Sequence, residues 1–112
     1  MPREESYFKQ LPTRSDRIAN RIVLHRGRVI EFSVQYETLF RGDSSYTAIC
    51  RIDNCDEGPH RHLFHAVEQD NVRVAFPCNN LNEGLTEAQK YLTVNYSSLR
   101  YNYLTQRRRR RL

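Results

Sequence analysis

An α+β fold is predicted for this chain: an antiparallel sheet of four to five strands packed against one long C-terminal helix. Three observations predict it. From Val29 to Phe40, Ile30, Phe32, Val34 and Tyr36 alternate with Glu31, Ser33, Gln35 and Glu37, the period of two of a strand with one buried and one wet face. A second alternation sets Tyr46, Ala48, Cys50 and Ile52 against Thr47, Ile49, Arg51 and Asp53. After Asn80 the period changes, and Leu81, Leu85, Ala88, Leu92, Tyr96, Leu99 and Tyr103 recur at steps of three and four, an apolar stripe that a helix lays on a surface.

Taken in order, residues 1–20 are polar and poorly periodic, with Pro2 and Pro12 as breakers, and read as a flexible N-terminal arm. The single α+β domain is expected over residues 21–105. Ile22-Val23-Leu24-His25 and the strand from Val29 flank Arg26-Gly27-Arg28, the form of a hairpin with glycine at its turn. Arg41-Gly42-Asp43-Ser44 is a turn by composition, and Asn54 to Pro59 is a loop between strands. His60 to Val67 and Val72 to Phe76 are two further extended stretches about a turn at Gln69-Asp70-Asn71. Asn80 with Glu83 three residues on has the form of a capping box, and the helix runs five or six turns despite Gly84, which costs about 1 kcal/mol against Ala. Residues 106–112 form an Arg-rich tail.

Charge narrows the function classes. The net charge is +5, but Arg107 to Arg111 supply five of the eighteen basic residues, leaving thirteen to face thirteen acids. The body is formally neutral and the basic character belongs to the tail, which argues for a local electrostatic arm rather than a broad nucleic-acid face. No apolar run approaches the length of a membrane span, and Met1 to Glu5 lack the apolar core of a signal peptide. A cytoplasmic protein without membrane contact is therefore expected. Cys50, Cys55 and Cys78 form neither a disulfide framework nor a zinc spacing, and Cys50 reads as a small core residue. P-loop, dinucleotide-fingerprint and metalloprotease motifs are missing from the sequence, so no cofactor is expected.

Chemistry concentrates between Arg51 and His65, where three of the four histidines fall within six positions beside two arginines and several acids. His60 and His62 share a strand face because alternate residues do, whereas His65 alternates away from His62. Asp53, closing the preceding strand, can meet the pair across the loop. A carboxylate beside an imidazole fixes its tautomer and favours the protonated ring, as general acid–base catalysis requires. An arginine alongside holds phosphate or developing negative charge. The expected site is therefore Asp53, His60 and His62 as the acid–base group, with Arg51 and Arg61 on phosphate. Two other readings use the same residues. His60 and His62 with Asp53 or Asp56 have donor types for a divalent metal, or the histidines are half-exposed structural residues on a wet sheet face. Cys55 as a thiolate nucleophile is a weaker idea.

Arg51, Asp53 and Asn54 ending a strand, then Pro59, His60, Arg61 and His62 after a short loop, are similar to a motif of the TumE-type toxins of prokaryotic toxin–antitoxin pairs. There Arg-aromatic-Asp-Asn precedes Pro-His-His-x-His. The likeness covers about fifteen of the 112 residues. Ile52 stands in place of the aromatic, and Asp56 and Glu57 make the loop acidic. The resemblance implies a small nucleic-acid-directed protein, with ribonuclease activity, RNA as substrate and an antitoxin protein as partner. The alternative class is a non-catalytic domain that binds a protein partner or a metal ion.

Overall fold

A computed structural model describes residues 1–54, 58–67 and 71–111, with side chains through Arg109 in the last helix. Cys55, Asp56, Glu57 and the Gln69-Asp70 turn lie outside the described residues. The chain forms β1 (Arg3–Gln10), β2 (Asp16–His25), β3 (Arg28–Thr38), β4 (Thr47–Asp53), β5 (His60–Leu63), β6 (Val72–Ala75) and α1 (Leu81–Arg111). The strands pair in chain order, each antiparallel to the next, as a six-stranded meander. The helix lies across one face, mainly on β3 and also on β4 and β2. The predicted α+β class holds, with six strands in place of four to five.

The added strand is β1, and β2 begins at Asp16 rather than near Ile22. Residues 1–20, expected as a flexible arm, instead contain β1 and the first half of β2. Every residue of β1 is exposed, so no buried face imposes a hydrophobic alternation; backbone pairing with β2 holds it, helped by side-chain contacts of Glu4, Tyr7 and Phe8 with Arg21, Gln89 and Arg17. In β2 the inward residues are Asp16, Ile18, Asn20 and Ile22, and the two polar ones mask the period. Each has a specific partner. Tyr36 Oη–H donates to Asp16 Oδ1 at 2.6 Å, and Gln89 of the helix donates to Asn20 Oδ1 at 3.1 Å.

Two β-bulges re-phase the predicted strand faces. Between β2 and β3, Val23 opposes Glu31 while Leu24 opposes Val29, leaving Ile30 as an extra residue. Ile30 is consequently 44 % exposed, and Val29 takes its place in the core. Between β3 and β4, Tyr36 opposes Cys50 while Glu37 opposes Ala48, so Ile49 is the extra residue and is buried beside Cys50. The first bulge is patched from β4. Asn54 Oδ1 accepts from Phe32 N–H at 2.8 Å, and Asn54 Nδ2 donates to the Ile30 carbonyl at 3.2 Å.

The hairpin at Arg26-Gly27 has positive φ at both residues, 52° and 76°, the two-residue turn whose twist matches paired strands. Asn80 caps the helix by accepting from Glu83 N–H at 2.8 Å. Gly84 in the first turn is explained by packing: a Cβ there would lie 2.8 Å from Cys78 Sγ. The core joins Ile18, Phe32, Val34, Tyr36 and Ile52 of the sheet to Ala88, Leu92 and Leu99 of the helix. The helix extends well past Tyr103, through Arg111. Arginine is a good helix former and cations suit a helix C-terminus, and Arg107 adds a two-point contact with Asp43 at 3.0 and 3.2 Å.

Candidate active site on the open sheet face

The sheet face away from the helix is ordered by register. Phe8, Ala19, Gln35, Arg51, His62 and Arg73 stand opposite one another across all six strands. The next row on the same face is Ser6, Arg21, Ser33, Asp53, His60 and Ala75. Each row spans about 24 Å at the ordinary strand spacing. Four of the five predicted site residues, Arg51, Asp53, His60 and His62, therefore form one patch at the crossing of two rows on β4 and β5.

Arg61 is not part of that patch. It opposes Ile52 and Val74 and reaches the helix, where its Nη1 donates to Tyr91 Oη at 2.6 Å. The same alternation that joins His60 to His62 turns the residue between them to the other face. Arg73, which the motif did not include, takes a position beside His62 instead. The Val72-Arg73-Val74-Ala75 alternation placed Arg73 on a strand, but its partner depended on a β5–β6 register that no local pattern encodes.

Asp53 is the buried centre, with its side chain only 3 % exposed. Arg51 Nε donates to Asp53 Oδ2 at 2.8 Å, which offsets the desolvation of the carboxylate. His62 Nε2 approaches the other oxygen at 3.5 Å, ion-pair range but long for a hydrogen bond. His60 Nδ1–H donates to the Gly58 carbonyl at 2.6 Å, which in the neutral ring leaves Nε2 as the basic nitrogen. Arg73 Nη2 lies 3.4 Å from the same Nδ1, so a second guanidinium flanks the histidines. The two imidazole centroids are 6.5 Å apart, and Phe64 stacks on His62 with a 17° interplanar angle. The Arg51 guanidinium stands 5.4 Å over Phe64.

Beside this patch the rows drop into a depression of about 350 Å³ with small residues Ser6, Ala19 and Ser33 among its lining, bordered by Phe8 and Arg51. Around it, charges are matched. Arg17 pairs with Glu37 at 2.8 Å, and Arg21 with Glu4 and Glu31 at 2.7 and 2.8 Å. Arg17 also covers the Phe8 and Tyr46 rings at 4.0 and 3.6 Å.

Among the described residues, no three His, Cys, Asp or Glu side chains converge in a way that could hold a metal ion; Asp56 and Cys55 lie outside them. Cys50 is a core residue whose thiol burial pushes up to about 12, which removes it as a nucleophile at neutral pH. No helix among the described residues is long and apolar enough to cross a membrane.

The chain belongs to the family described as a domain of unknown function, DUF7718, whose family model matches residues 1–109. No curated protein and no solved structure matches the chain.

Proposed function

We propose that the open face of the sheet binds single-stranded RNA and that His60 and His62 cleave it as a metal-free acid–base pair. One observation carries this reading: two imidazoles share one strand face, 6.5 Å apart, with Arg51 and Arg73 on either side of His62 and Arg73 Nη2 also 3.4 Å from His60 Nδ1. In the proposed reaction His60 Nε2 takes the proton of a ribose 2′-hydroxyl. The 2′-oxygen attacks phosphorus, the bond to the 5′-oxygen breaks, and His62 delivers a proton to that leaving oxygen. The products are a 2′,3′-cyclic phosphate and a free 5′-hydroxyl, with proton number conserved. Arg51 and Arg73 stabilise the charge that gathers on the non-bridging oxygens. Asp53 is a positioning residue, holding Arg51 and facing His62. The small-residue depression beside Arg51 is of a size to receive a flanking base, with Phe8 at its rim.

Such an activity in a bacterial cell arrests growth, which suits a toxin restrained by an antitoxin protein. The test joins a labelled single-stranded RNA to purified parent, His60→Ala and His62→Ala proteins. Cleavage by the parent should fall by about 10²- to 10⁴-fold in each variant, with a cooperative thermal melt showing that each variant folds. Induced expression should arrest growth in the parent and not in His62→Ala at equal abundance. A folded parent that leaves RNA intact, or variants that cleave as well as the parent, would refute the reading. The face would then serve as a binding surface without chemistry.

A further inference from the structure

On the open face most of the guanidinium charge is already matched by carboxylates, as the Arg17–Glu37, Arg21–Glu31 and Arg51–Asp53 pairs show. A polyanion held there gains little from long-range attraction. The charge imbalance lies elsewhere. Where the β3–β4 loop meets the helix, a concavity of about 430 Å³ is lined by Phe40, Arg41, Asp43, Arg100, Arg107 and Arg108. Four guanidinium groups gather there, with Asp43 the carboxylate in the lining and Asp16 reached by Arg100.

Packing accounts for two of the four. Arg100 and Arg107 each stand 5.1 Å from the Phe40 ring centroid. Arg100 donates to Thr38 Oγ1 at 3.0 Å and lies 3.9 Å from Asp16, while Arg107 grips Asp43. Arg41 and Arg108 are exposed, and among the described residues no ion pair holds either of them. The helix dipole favours cations in its last turns, which explains Arg108 but not Arg41, which comes from the separate β3–β4 loop. Two like charges brought to one concavity repel unless an anion is shared between them.

We infer that this arginine-lined concavity is a phosphate-backbone anchor, which holds single-stranded RNA while the neutral open face works on it. The inference rests on the proposed ribonuclease reading for its choice of RNA. Guanidinium groups suit this role because each offers paired N–H donors to the oxygens of a phosphodiester. The anchor borders the loop that leads into β4, and Arg51 lies four residues along that strand from Thr47, about 13 Å. Arg51 faces the side of the sheet away from the helix, so RNA that runs from the anchor to it passes around the β3–β4 end of the sheet.

The test is a fluorescence-anisotropy titration of a labelled 12-nucleotide single-stranded RNA against full-length His62→Ala protein, over a series of salt concentrations. Replacing both Arg41 and Arg108 by Gln should weaken binding about tenfold near 100 mM salt. The slope of log affinity against log salt should become shallower by about 1.4, at about 0.7 per phosphate contact on single strands. Asp43→Asn, which frees Arg107 for the ligand, should tighten binding; thermal melts confirm that each variant folds. Unchanged affinity and salt slope in the double Gln variant overturn the anchor, as does a parent that does not bind the RNA. Loss of binding to phosphatidylserine vesicles in the double variant, with RNA affinity intact, would reassign the site to membrane headgroups. Failure of the two readings is separable. Arginine-dependent binding without cleavage by the parent leaves the anchor and removes the nuclease, and histidine-dependent cleavage with arginine-independent binding does the reverse.

Discussion

Asp53 offers a direct measure of how the candidate site divides between structure and chemistry. Among the described residues its carboxylate meets Arg51 by a 2.8 Å hydrogen bond and His62 at 3.5 Å. A hydrogen bond to a charged group contributes about 1.5–3 kcal/mol. Exposed ion pairs contribute about 0–1 kcal/mol. With Asp53 at 3 % exposure and Arg51 at 38 %, the pair falls between these limits, at about 1.5 kcal/mol. The His62 contact exceeds good hydrogen-bond length, so its coupling should be the smaller of the two. Two double-mutant cycles measure these terms by urea denaturation, one from Arg51→Gln and Asp53→Asn, the other from His62→Gln and Asp53→Asn. Asp53→Asn alone should destabilise by about 2 kcal/mol, because it leaves the Arg51 guanidinium without its counter-charge. A His62–Asp53 coupling equal to or above that of Arg51–Asp53 would refute the assignment. The histidine would then be a structural partner of the carboxylate, not a side chain left to act on a substrate.

Three further outcomes follow from the packing. Asn54→Ala should lower stability by about 2 kcal/mol in urea denaturation, since it removes both side-chain hydrogen bonds that patch the β3 bulge. A loss below about 0.5 kcal/mol would mean that solvent serves the bulge equally well. Gly84→Ala should destabilise despite alanine's better helix propensity, because the new Cβ would lie 2.8 Å from Cys78 Sγ. Adding Cys78→Ala should recover about 1 kcal/mol, and failure to recover would place the strain elsewhere. The Cys50 thiol titrates near 9 when unfolded and is pushed up to about 12 by burial. Its contribution is thus fully present below pH 9 and lost between pH 9 and 12, at about 1.4 kcal/mol per pH unit. Cys50→Ala should flatten most of the fall in stability between pH 9 and 10, whereas an unchanged slope would show that other groups carry it. Tyr36, whose hydroxyl is also raised by burial, adds to the loss at higher pH.

The elements with a buried face were legible from local pattern alone. The alternation of Phe32, Val34 and Tyr36, and the stripe from Leu81 to Leu99, each carry an apolar period matched to one geometry, and those strands and that helix form where expected. His60 and His62 could be assigned to one face from spacing alone. Features that depend on strand pairing were not legible there. An edge strand exposed on both sides, as β1 is, has no hydrophobic signature, because it is held by backbone hydrogen bonds that every residue offers alike and by side-chain contacts with residues distant in sequence. The bulges at Ile30 and Ile49 shift register by one residue, and a single-residue slip exchanges faces without altering composition. The same kind of register, between β5 and β6, brought Arg73 to the histidines. It also took a fold to set Arg41 against Arg108 across one concavity, since residues 67 positions apart meet only when a helix returns across the sheet.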